Sequence, residues 1–473
     1  MSAAAGLRAL AARGPVHFVG VSGAGMSPLA ELVLVGGGTV SGCDLAAGPA
    51  LARLTRLGME FSEGHDPAHV DGAAAVVVTS AVPSGHPELA AARAQGIPVI
   101  KRARALGEWV AGGRVVGVAG THGKTTTTAM ATHVLEHAGL DPNGVVGGEV
   151  AGWGGNLRAG GSDVFVVEAD EYDRSFHELA PEVAVVTNVE ADHLDTYGDL
   201  DGVRDSFSEF LEGLDARGTL WICGDDPGAA RLGVRAGDRL RSYGTAAGAC
   251  LRATRVRVGP SGSAFSVTED GARAGDFAVR VPGRHNVLNA LAAVGVGRSF
   301  GAGWDDIRAG LAAFRGVGRR YEVLGSAAGV RVVDDYAHHP TEIAATLAAA
   351  RGADPGRRLV AVFQPHLFTR TRDFHREFGR ALGAADAVWV TDVYPAREPA
   401  LPDVDGAMVA GAVPAPPERV TYHAEFATLA AAVAEGLVPG DLCVVMGAGS
   451  IGDAAREILA LLELRARGGE EAA

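Results

Sequence analysis

Short apolar runs recur along the chain, most of them followed by a glycine or polar turn and then by residues of helical periodicity. "VHFVGVS" (16–22), "AAAVVVTSAV" (73–82), "RVVGVAG" (114–120), "DVFVVEAD" (163–170) and "EVAVVTNVEADH" (182–193) are of this kind. So are "VRVVDDYAHHPTE" (330–342), "RLVAVFQPHLFTRTRDF" (358–374), "AVWVTDVYPAREP" (387–399) and "DLCVVMGAGSIGDAAREIL" (441–459). Apolar runs of strand length alternating with helical patterns predict an α/β protein with parallel sheets. They fall into three blocks, the second running from Arg114 to about Gly318. A helix is expected from about Ser27. Another is expected from Thr126, with Met130, Val134 and Leu135 on one face and Gly139 at its stop. Residues 406–417, rich in Pro, Ala and Gly, read as a surface loop, and the tail "RARGGEEAA" reads as disordered.

One turn carries chemistry. "VAGTHGKTTTTAM" (118–130) resembles the phosphate loop G-x-x-x-x-G-K-[ST], but counting back from Gly123 puts Val118 where the first glycine belongs. Gly120 and Gly123 instead flank Thr121-His122, with Lys124-Thr125 next. Strand, glycine turn and helix start form an anion-binding geometry, because free backbone N–H groups and the helix dipole converge there. Lys124 can reach β- and γ-phosphates, and the Thr125 hydroxyl suits Mg²⁺.

A nucleotide loop also needs a metal-holding acid. "DVFVVEAD" ends in Glu168 and Asp170, and "VAVVTN" is followed by Asp192 and His193. Ligands of open α/β sheets gather at strand carboxyl ends, so both endings are expected to face the loop. Glu168 is a suitable hard oxygen ligand. His193, by its chemistry alone, reads as a phosphate or water contact as readily as a ligand.

Composition narrows the alternatives. A formal net charge of −14 argues against non-specific binding to nucleic acid or to a membrane surface. Cys43, Cys223, Cys250 and Cys443 lie far apart with no C-x-x-C spacing, so buried thiols in a reducing cytosol are expected rather than a zinc or disulfide framework. No apolar run reaches the roughly 18 residues that span a bilayer, and the N-terminus lacks the apolar stretch of a signal peptide. A cytoplasmic protein is expected.

Taken in order, "HFVGVSGAGMS", "GTHGKTTT", "EADEYDRSF", "TNVEADHLDTY", "PGRHNVLNALAA", "GVGRRYE" and "DDYAHHPTE" resemble the successive signatures of the Mur ligases, over nearly the whole chain. That family carries the short G-T-[HN]-G-K-[ST] loop, so the displaced glycine marks a family rather than a broken site. The resemblance implies three domains: a Rossmann-like UDP-sugar domain (1–112), a central P-loop ATPase (113–318) and a Rossmann-like amino-acid domain (319–473). It implies an ATP- and Mg²⁺-dependent ligase that turns the lactyl carboxylate of UDP-N-acetylmuramate into an acyl phosphate, which the amine of L-alanine attacks.

Carried over by residue, Gly120, Thr121, His122, Gly123, Lys124, Thr125 and Thr126 hold the phosphates. Thr125, Glu168 and His193 hold the metal. His285, Asn286 and Asn289 lie on the adenine side, and Arg320 and Asp335 lie where the C-terminal domain closes over the nucleotide. Ser22, Gly23, Gly25, Met26 and Ser27 wrap the UDP diphosphate. His338, His366 and Arg370 lie near the amino-acid site, with His338 in a catalytic role.

Two residues depart from the family pattern: Leu367 follows "QPH" where many relatives have arginine, and Tyr172 stands where many have serine. No D-N-P-R-like motif for a diamino acid is present. The peptide-recycling ligase of the same family differs around "EADEYD". Two further glycine loops suggest a dinucleotide site. "GVSGAG" (20–25) fails G-x-G-x-x-G at Ser22; "GAGSIG" (447–452) fits it but lacks a following strand with an acid, so it reads as structural.

Overall fold

The computed structural model describes residues 6–233, 237–396 and 398–471. Its contacts divide the chain into two compact units. One holds the chain up to Thr254 with residues 266–277 and 288–314; the other holds residues 255–265, 278–287 and the chain from Arg315 onward.

The first unit contains two sheets. Strands β1 (Val16–Val19), β2 (Val40–Asp44), β3 (Glu60–Glu63), β4 (Ala75–Val78) and β5 (Val99–Lys101) pair in parallel in the order β3-β2-β1-β4-β5. The order reverses at β1 and β4, which opens a crevice at their carboxyl ends. Strands β6 (Arg114–Ala119), β7 (Asn143–Val150), β8 (Gly155–Arg158), β9 (Val164–Glu168), β10 (Val183–Val186), β11 (Thr219–Cys223) and β12 (Leu240–Gly244) follow in the order β12-β11-β10-β6-β9-β7-β8. Here β8 is antiparallel to β7, while β6 is flanked in parallel by β9 and β10. The chain then runs through β13 (Leu251–Gly259), which joins β12 at Leu251, and through β14 (Gly262–Glu269) and β15 (Ala272–Val279).

In the second unit, β16 (Glu322–Ala327), β17 (Val330–Asp335), β18 (Arg358–Phe363), β19 (Ala387–Val390), β20 (Val420–Tyr422) and β21 (Asp441–Met446) form a sheet in the order β16-β17-β21-β18-β19-β20. All its pairings are parallel except β16 with β17. β1, β4, β10 and β21 are buried at every position, which is why they appear in the sequence as unbroken apolar runs.

Three expectations need correction. The helix after β6 starts at Lys124, two residues earlier than its apolar face suggests, because Gly123 takes a left-handed conformation and turns the chain directly into it. Within 406–417, residues Gly406–Gly411 are helical. The Asp405 side chain caps them by accepting the Met408 N–H at 3.2 Å, and Gly406 fits there because a Cβ would strike the Thr391 carbonyl at 2.1 Å. The tail extends the final helix, Ile451–Glu471, as far as Glu471; residues 472–473 lie outside the described residues. Leu462 buries one face of that helix, and the Arg465 guanidinium donates to the carbonyls of Ala434 (3.0 Å) and Leu437 (3.1 Å) at the C-terminal end of the helix Phe426–Gly436. A cation at a helix C-terminus is stabilising. No helix among the described residues is long and apolar enough to cross a membrane.

Arg465→Ala is expected to cost about 1 kcal/mol, the scale of an exposed charged hydrogen-bond donor, and to speed amide exchange through the last two turns. Unchanged protection across 463–471 would show that the docking contact does not hold the tail.

Candidate active site

The carboxyl ends of β6, β9 and β10 meet around the glycine turn. Gly120, at φ +135°, lies so close to the next strand's loop that a Cβ would fall 1.9 Å from Thr187 Oγ1. Thr187 and Asn188 clamp the turn. Thr187 Oγ1 donates to the His122 carbonyl at 2.6 Å, and Asn188 Nδ2 donates to the same oxygen at 3.0 Å. The N–H groups of Thr121 and His122 donate back to the Asn188 carbonyl (3.1 Å) and Oδ1 (2.8 Å). This clamp holds the shortened loop open without the extra glycine span. The first helical bond runs from the Thr127 N–H to the Gly123 carbonyl, so the preceding N–H groups, through Thr126, have no acceptor within the helix and point out of its N-terminus. Asn289 approaches from the helix Arg284–Ser299; a Cβ on Gly123 would lie 2.7 Å from its Oδ1.

Lys124 does not extend freely from this turn. Its Nζ donates to the carbonyls of Gly120 (2.8 Å) and Thr121 (3.2 Å), and it pairs with Glu171 at 2.7 Å. Burial alone would lower the lysine pKa, but Glu171, Asp170 and Glu168 outweigh it and raise the pKa above the ordinary value. Burial lifts the Glu171 carboxyl while Lys124 opposes the lift. Beside this pair, Thr125 Oγ1 donates to Glu168 Oε1 at 2.7 Å, and Glu168 Oε2 accepts the Gly147 N–H at 2.6 Å. A hydroxyl and a carboxylate at the mouth of a helix N-terminus make a hard-oxygen donor set suited to Mg²⁺. His193, in a left-handed conformation at φ +52°, places Nε2 3.8 Å from Glu171 Oε1 and 4.0 Å from Asp192 Oδ2, and its ring lies 5.4 Å from that of Tyr172.

The loop after β1 forms a second turn of the same unit. The N–H groups of Gly20 and Val21 donate to the Cys43 carbonyl, and the Ser22 N–H donates to Asp44 Oδ2 at 2.9 Å. Gly23 opens the turn into the helix Ser27–Val35, whose N-cap Met26 is buried. Gly25 lies under the Arg102 side chain, and a Cβ there would lie 3.0–3.2 Å from its Cδ, Nε and Cζ. A guanidinium over a glycine loop suits a diphosphate.

The second unit gathers the remaining candidates. Asp335 is buried at the end of β17 and accepts the N–H groups of Tyr321 and Ala337, each at 2.8 Å; burial pushes its pKa up to about 6. Glu342 pairs with Arg320 at 3.5 Å and with His338 Nδ1 at 3.2 Å, and also accepts the His338 N–H at 3.0 Å. The His338 and His366 rings are 6.0 Å apart, and His366 stacks on Tyr394 at 5.7 Å. Leu367 caps the helix Phe368–Leu382 at φ +70°. Arg370 is buried on that helix, whereas Arg372 is exposed and paired with Asp373. His285 and Asn286 lie at the start of the helix after Gly283; Asn286 Nδ2 donates to the Pro282 carbonyl at 2.8 Å. The glycines of 447–452 serve packing: a Cβ on Gly449 would meet the Tyr394 ring at 2.5 Å.

Glu171, Thr187, Asn188, Arg102 and Glu342 were not singled out from the sequence. For Glu342 a local signal exists, since Pro340 with Glu at the third helical position marks a capping box, here closed with His339.

Gly120→Ala is expected to destabilise the first unit by clearly more than the roughly 1–2 kcal/mol of a left-handed alanine alone. Gly139→Ala, at φ +76° with nothing within 4 Å of the added Cβ, sets that reference. Equal losses in denaturant unfolding would show that the Thr187 contact is not limiting.

Three family models match the chain in order: the Mur ligase family catalytic domain over residues 15–114, the Mur ligase middle domain over 118–297, and the Mur ligase glutamate ligase domain over 319–449. The chain is 47% identical over 439 residues to the UDP-N-acetylmuramate–L-alanine ligase of Acidothermus cellulolyticus, covering 92% of each chain. It is 48% identical over 458 residues to the protein of the same name from Kineococcus radiotolerans, covering 96% of this chain and 97% of that one. The crystal structure of UDP-N-acetylmuramate-alanine ligase from Thermotoga maritima superposes with a TM-score of 0.79 at 28% identity, over 94% of this chain and 98% of that chain. With its clamped short phosphate loop and these near-full-length likenesses, the chain belongs to the Mur ligase family.

Proposed function

We propose that this chain is an ATP-dependent amide ligase that joins L-alanine to the lactyl carboxylate of UDP-N-acetylmuramate and releases ADP and phosphate, a step in peptidoglycan precursor synthesis in the cytoplasm. The observation that carries the reading is the near-full-length identity to relatives of that name, joined to a glycine turn and helix start that hold Lys124 beside a Thr125–Glu168 pair. We divide the chain into a UDP-sugar domain (1–112), an ATP domain (113–318) and an amino-acid domain (319–473), a division that the spans of the three family models support.

A carboxylate does not condense with an amine in water because its oxygen is a poor leaving group. One lactyl carboxylate oxygen forms a bond to the γ-phosphorus as the bond to the ADP oxygen breaks. The neutral amine of L-alanine then adds to the acyl carbon, and the tetrahedral intermediate gives up a proton from that nitrogen as it expels inorganic phosphate, which takes the proton at neutral pH. The turn's N–H groups and Lys124 hold the phosphates and offset charge on the transferring group, the main contribution a protein makes to phosphoryl transfer. Thr125, Glu168 and His193 would hold Mg²⁺, with His193 Nε2 3.8 Å from Glu171 Oε1; the ion would supply further charge neutralisation at the phosphates. Asn289 reaches the turn from the adenine side, with His285 and Asn286 one turn before it on the same helix. The loop Ser22–Ser27 with Arg102 takes the UDP diphosphate. In the amino-acid domain Arg370 holds the alanine carboxylate, while His338, oriented by Glu342, lies beside the amine together with His366. Arg320 and Asp335 take the nucleotide on that domain's side.

Phosphate release from ATP should require both UDP-N-acetylmuramate and an amino acid, with L-alanine preferred when each amino acid is tested in turn. Release that ignores the UDP-sugar, or that needs a peptide in place of L-alanine, would overturn the reading.

Lys124→Ala is expected to lower kcat at least ~100-fold, the scale of losing one electrostatic stabiliser. Because it also strands Glu171, it should lose stability as well, and Lys124→Ala/Glu171→Gln should regain stability without regaining turnover. Near-normal turnover in either variant would remove Lys124 from phosphoryl transfer. Glu168→Gln should lower activity and raise the Mg²⁺ concentration needed for half-maximal rate; an unchanged Mg²⁺ dependence would take Glu168 out of the metal set.

Arg370→Ala should raise KM for L-alanine ~10-fold or more, since a charge-assisted bond contributes roughly 1.5–3 kcal/mol. Acyl-phosphate formation, trapped with hydroxylamine, should persist. Loss of the trapped product with an unchanged alanine KM would place Arg370 in the first step.

A further inference from the structure

One face of the N-terminal sheet carries a cluster of ionisable groups that neither loop uses. His17 lies in β1, Cys43 in β2, His69 in the 3₁₀ turn Pro67–Val70, and Glu88 in the first turn of the helix Pro87–Ala94. His17, Cys43 and Glu88 are buried to 1% exposure or less, and His69 is half-buried. Cys43 Sγ lies 3.1 Å from Glu88 Oε2, His69 Nδ1 lies 2.8 Å from Glu88 Oε1, and His17 Nε2 lies 3.8 Å from Glu88 Oε2. One donor atom from each of the four residues lies within 4.8 Å of every other.

We propose that His17, Cys43, His69 and Glu88 form a structural zinc site. Zinc bonds of about 2.0–2.3 Å in a tetrahedron place donor atoms about 3.3–3.8 Å apart, so the side chains need only small adjustments. Two imidazoles, a thiolate and a carboxylate form a borderline donor set that selects zinc over Mg²⁺ or Ca²⁺, and their two negative charges balance the ion. A self-contained polar network accounts for Glu88, which accepts the Cys43 thiol at 3.1 Å and the Asp66 N–H at 3.1 Å and meets His69, but it leaves one buried ring nitrogen over. His17 Nδ1 is fixed on Ser41 Oγ at 2.9 Å, and this aims Nε2 into the cluster, buried and without a hydrogen-bond partner. Such an outer hydrogen bond is how a metal-binding histidine is oriented. His65, partly exposed with Nδ1 3.3 Å from Cys43 Sγ, and His69 provide a route from solvent.

The site would stiffen the substrate end of this sheet. The Cys43 carbonyl accepts the N–H groups of Gly20 and Val21, and the neighbouring Asp44 carboxylate holds Ser22. Anchoring Cys43 therefore anchors the loop that we assign to the UDP diphosphate. The zinc assignment itself does not rest on that reading.

The test uses the full-length protein, stripped with a chelator and titrated with Zn²⁺ or Co²⁺ in excess Mg²⁺. One equivalent of zinc should bind, X-ray absorption should show one sulfur neighbour, and cobalt should give a thiolate charge-transfer band. His69→Gln, on a half-exposed turn, should keep its fold by circular dichroism and lose at least about 100-fold in zinc affinity, since losing even an outer partner costs 10–100-fold. Cys43→Ser should abolish the cobalt band, while His193→Ala should keep the full equivalent. Substoichiometric zinc, no sulfur neighbour in the wild type, wild-type affinity in His69→Gln, or loss of the equivalent in His193→Ala would each overturn the proposal.

Discussion

A lysine ammonium withdrawn from water needs a counter-charge, and that requirement organises the centre of this protein. Lys124 enters the first turn of its helix with its side chain folded back over the turn, where two carbonyls and Glu171 meet it. Glu171 is in turn fixed by its surroundings: the Tyr197 hydroxyl donates to its carbonyl, and His193 Nε2 lies 3.8 Å from its Oε1. Three strand ends are thereby tied to one charge pair. Removing either partner leaves the other buried and unmatched, which is far costlier than never having built the pair. The parallel sheet supplies the geometry, because β9 and β10 flank β6 and deliver their carboxyl ends to the same place.

What could be read in the sequence follows from how local each signal is. Strands buried on both faces announce themselves as apolar runs, and Gly120, Lys124, Thr125 and Glu168 sit beside such runs in a recognisable order. Glu171, Thr187 and Asn188 stand in the same quoted stretches, yet their roles exist only once β6, β9 and β10 are neighbours. Nothing in "EADEYD" says which of its acids meets Lys124. The helix at 406–411 was masked by glycine and proline on its flanks, although Asp405 is an ordinary cap. The tail helix was masked by its charges, because Arg465 finds its partners some thirty residues earlier in the chain. The His17, Cys43, His69 and Glu88 cluster is the extreme case: four elements contribute one ligand each, and no spacing rule for metal sites covers that.

The two glycine turns of the first unit solve the same problem with different means. At Gly120 the neighbouring strand's loop supplies a side-chain clamp, and the backbone conformation admits only glycine. At Gly20–Gly25 the turn is held by the backbone of β2 and by Asp44, and the Arg102 side chain packs closely over Gly25. The first arrangement fixes N–H groups for a concentrated charge. The second places a cation, the Arg102 guanidinium, against the turn.

If Lys124 meets a nucleotide phosphate, as we propose, its geometry sets a condition on that binding. An ammonium has three protons, and here all three have acceptors: Gly120, Thr121 and Glu171. A phosphate oxygen can be engaged only by giving one of them up. Releasing Glu171 would strand a buried carboxylate beside incoming negative charge, whereas releasing the Thr121 carbonyl, the longest contact at 3.2 Å, frees an acceptor on a turn already clamped by Asn188. The exchange that costs least therefore keeps Glu171 bound, leaving Lys124 bridging a carboxylate and a phosphate. In that position the lysine is held more rigidly than a free side chain, but part of its charge is already matched. In the proposed reaction Glu171 would hold the lysine in place before the phosphoryl group moves, and preorganised charge of this kind lowers a barrier without first having to reorganise.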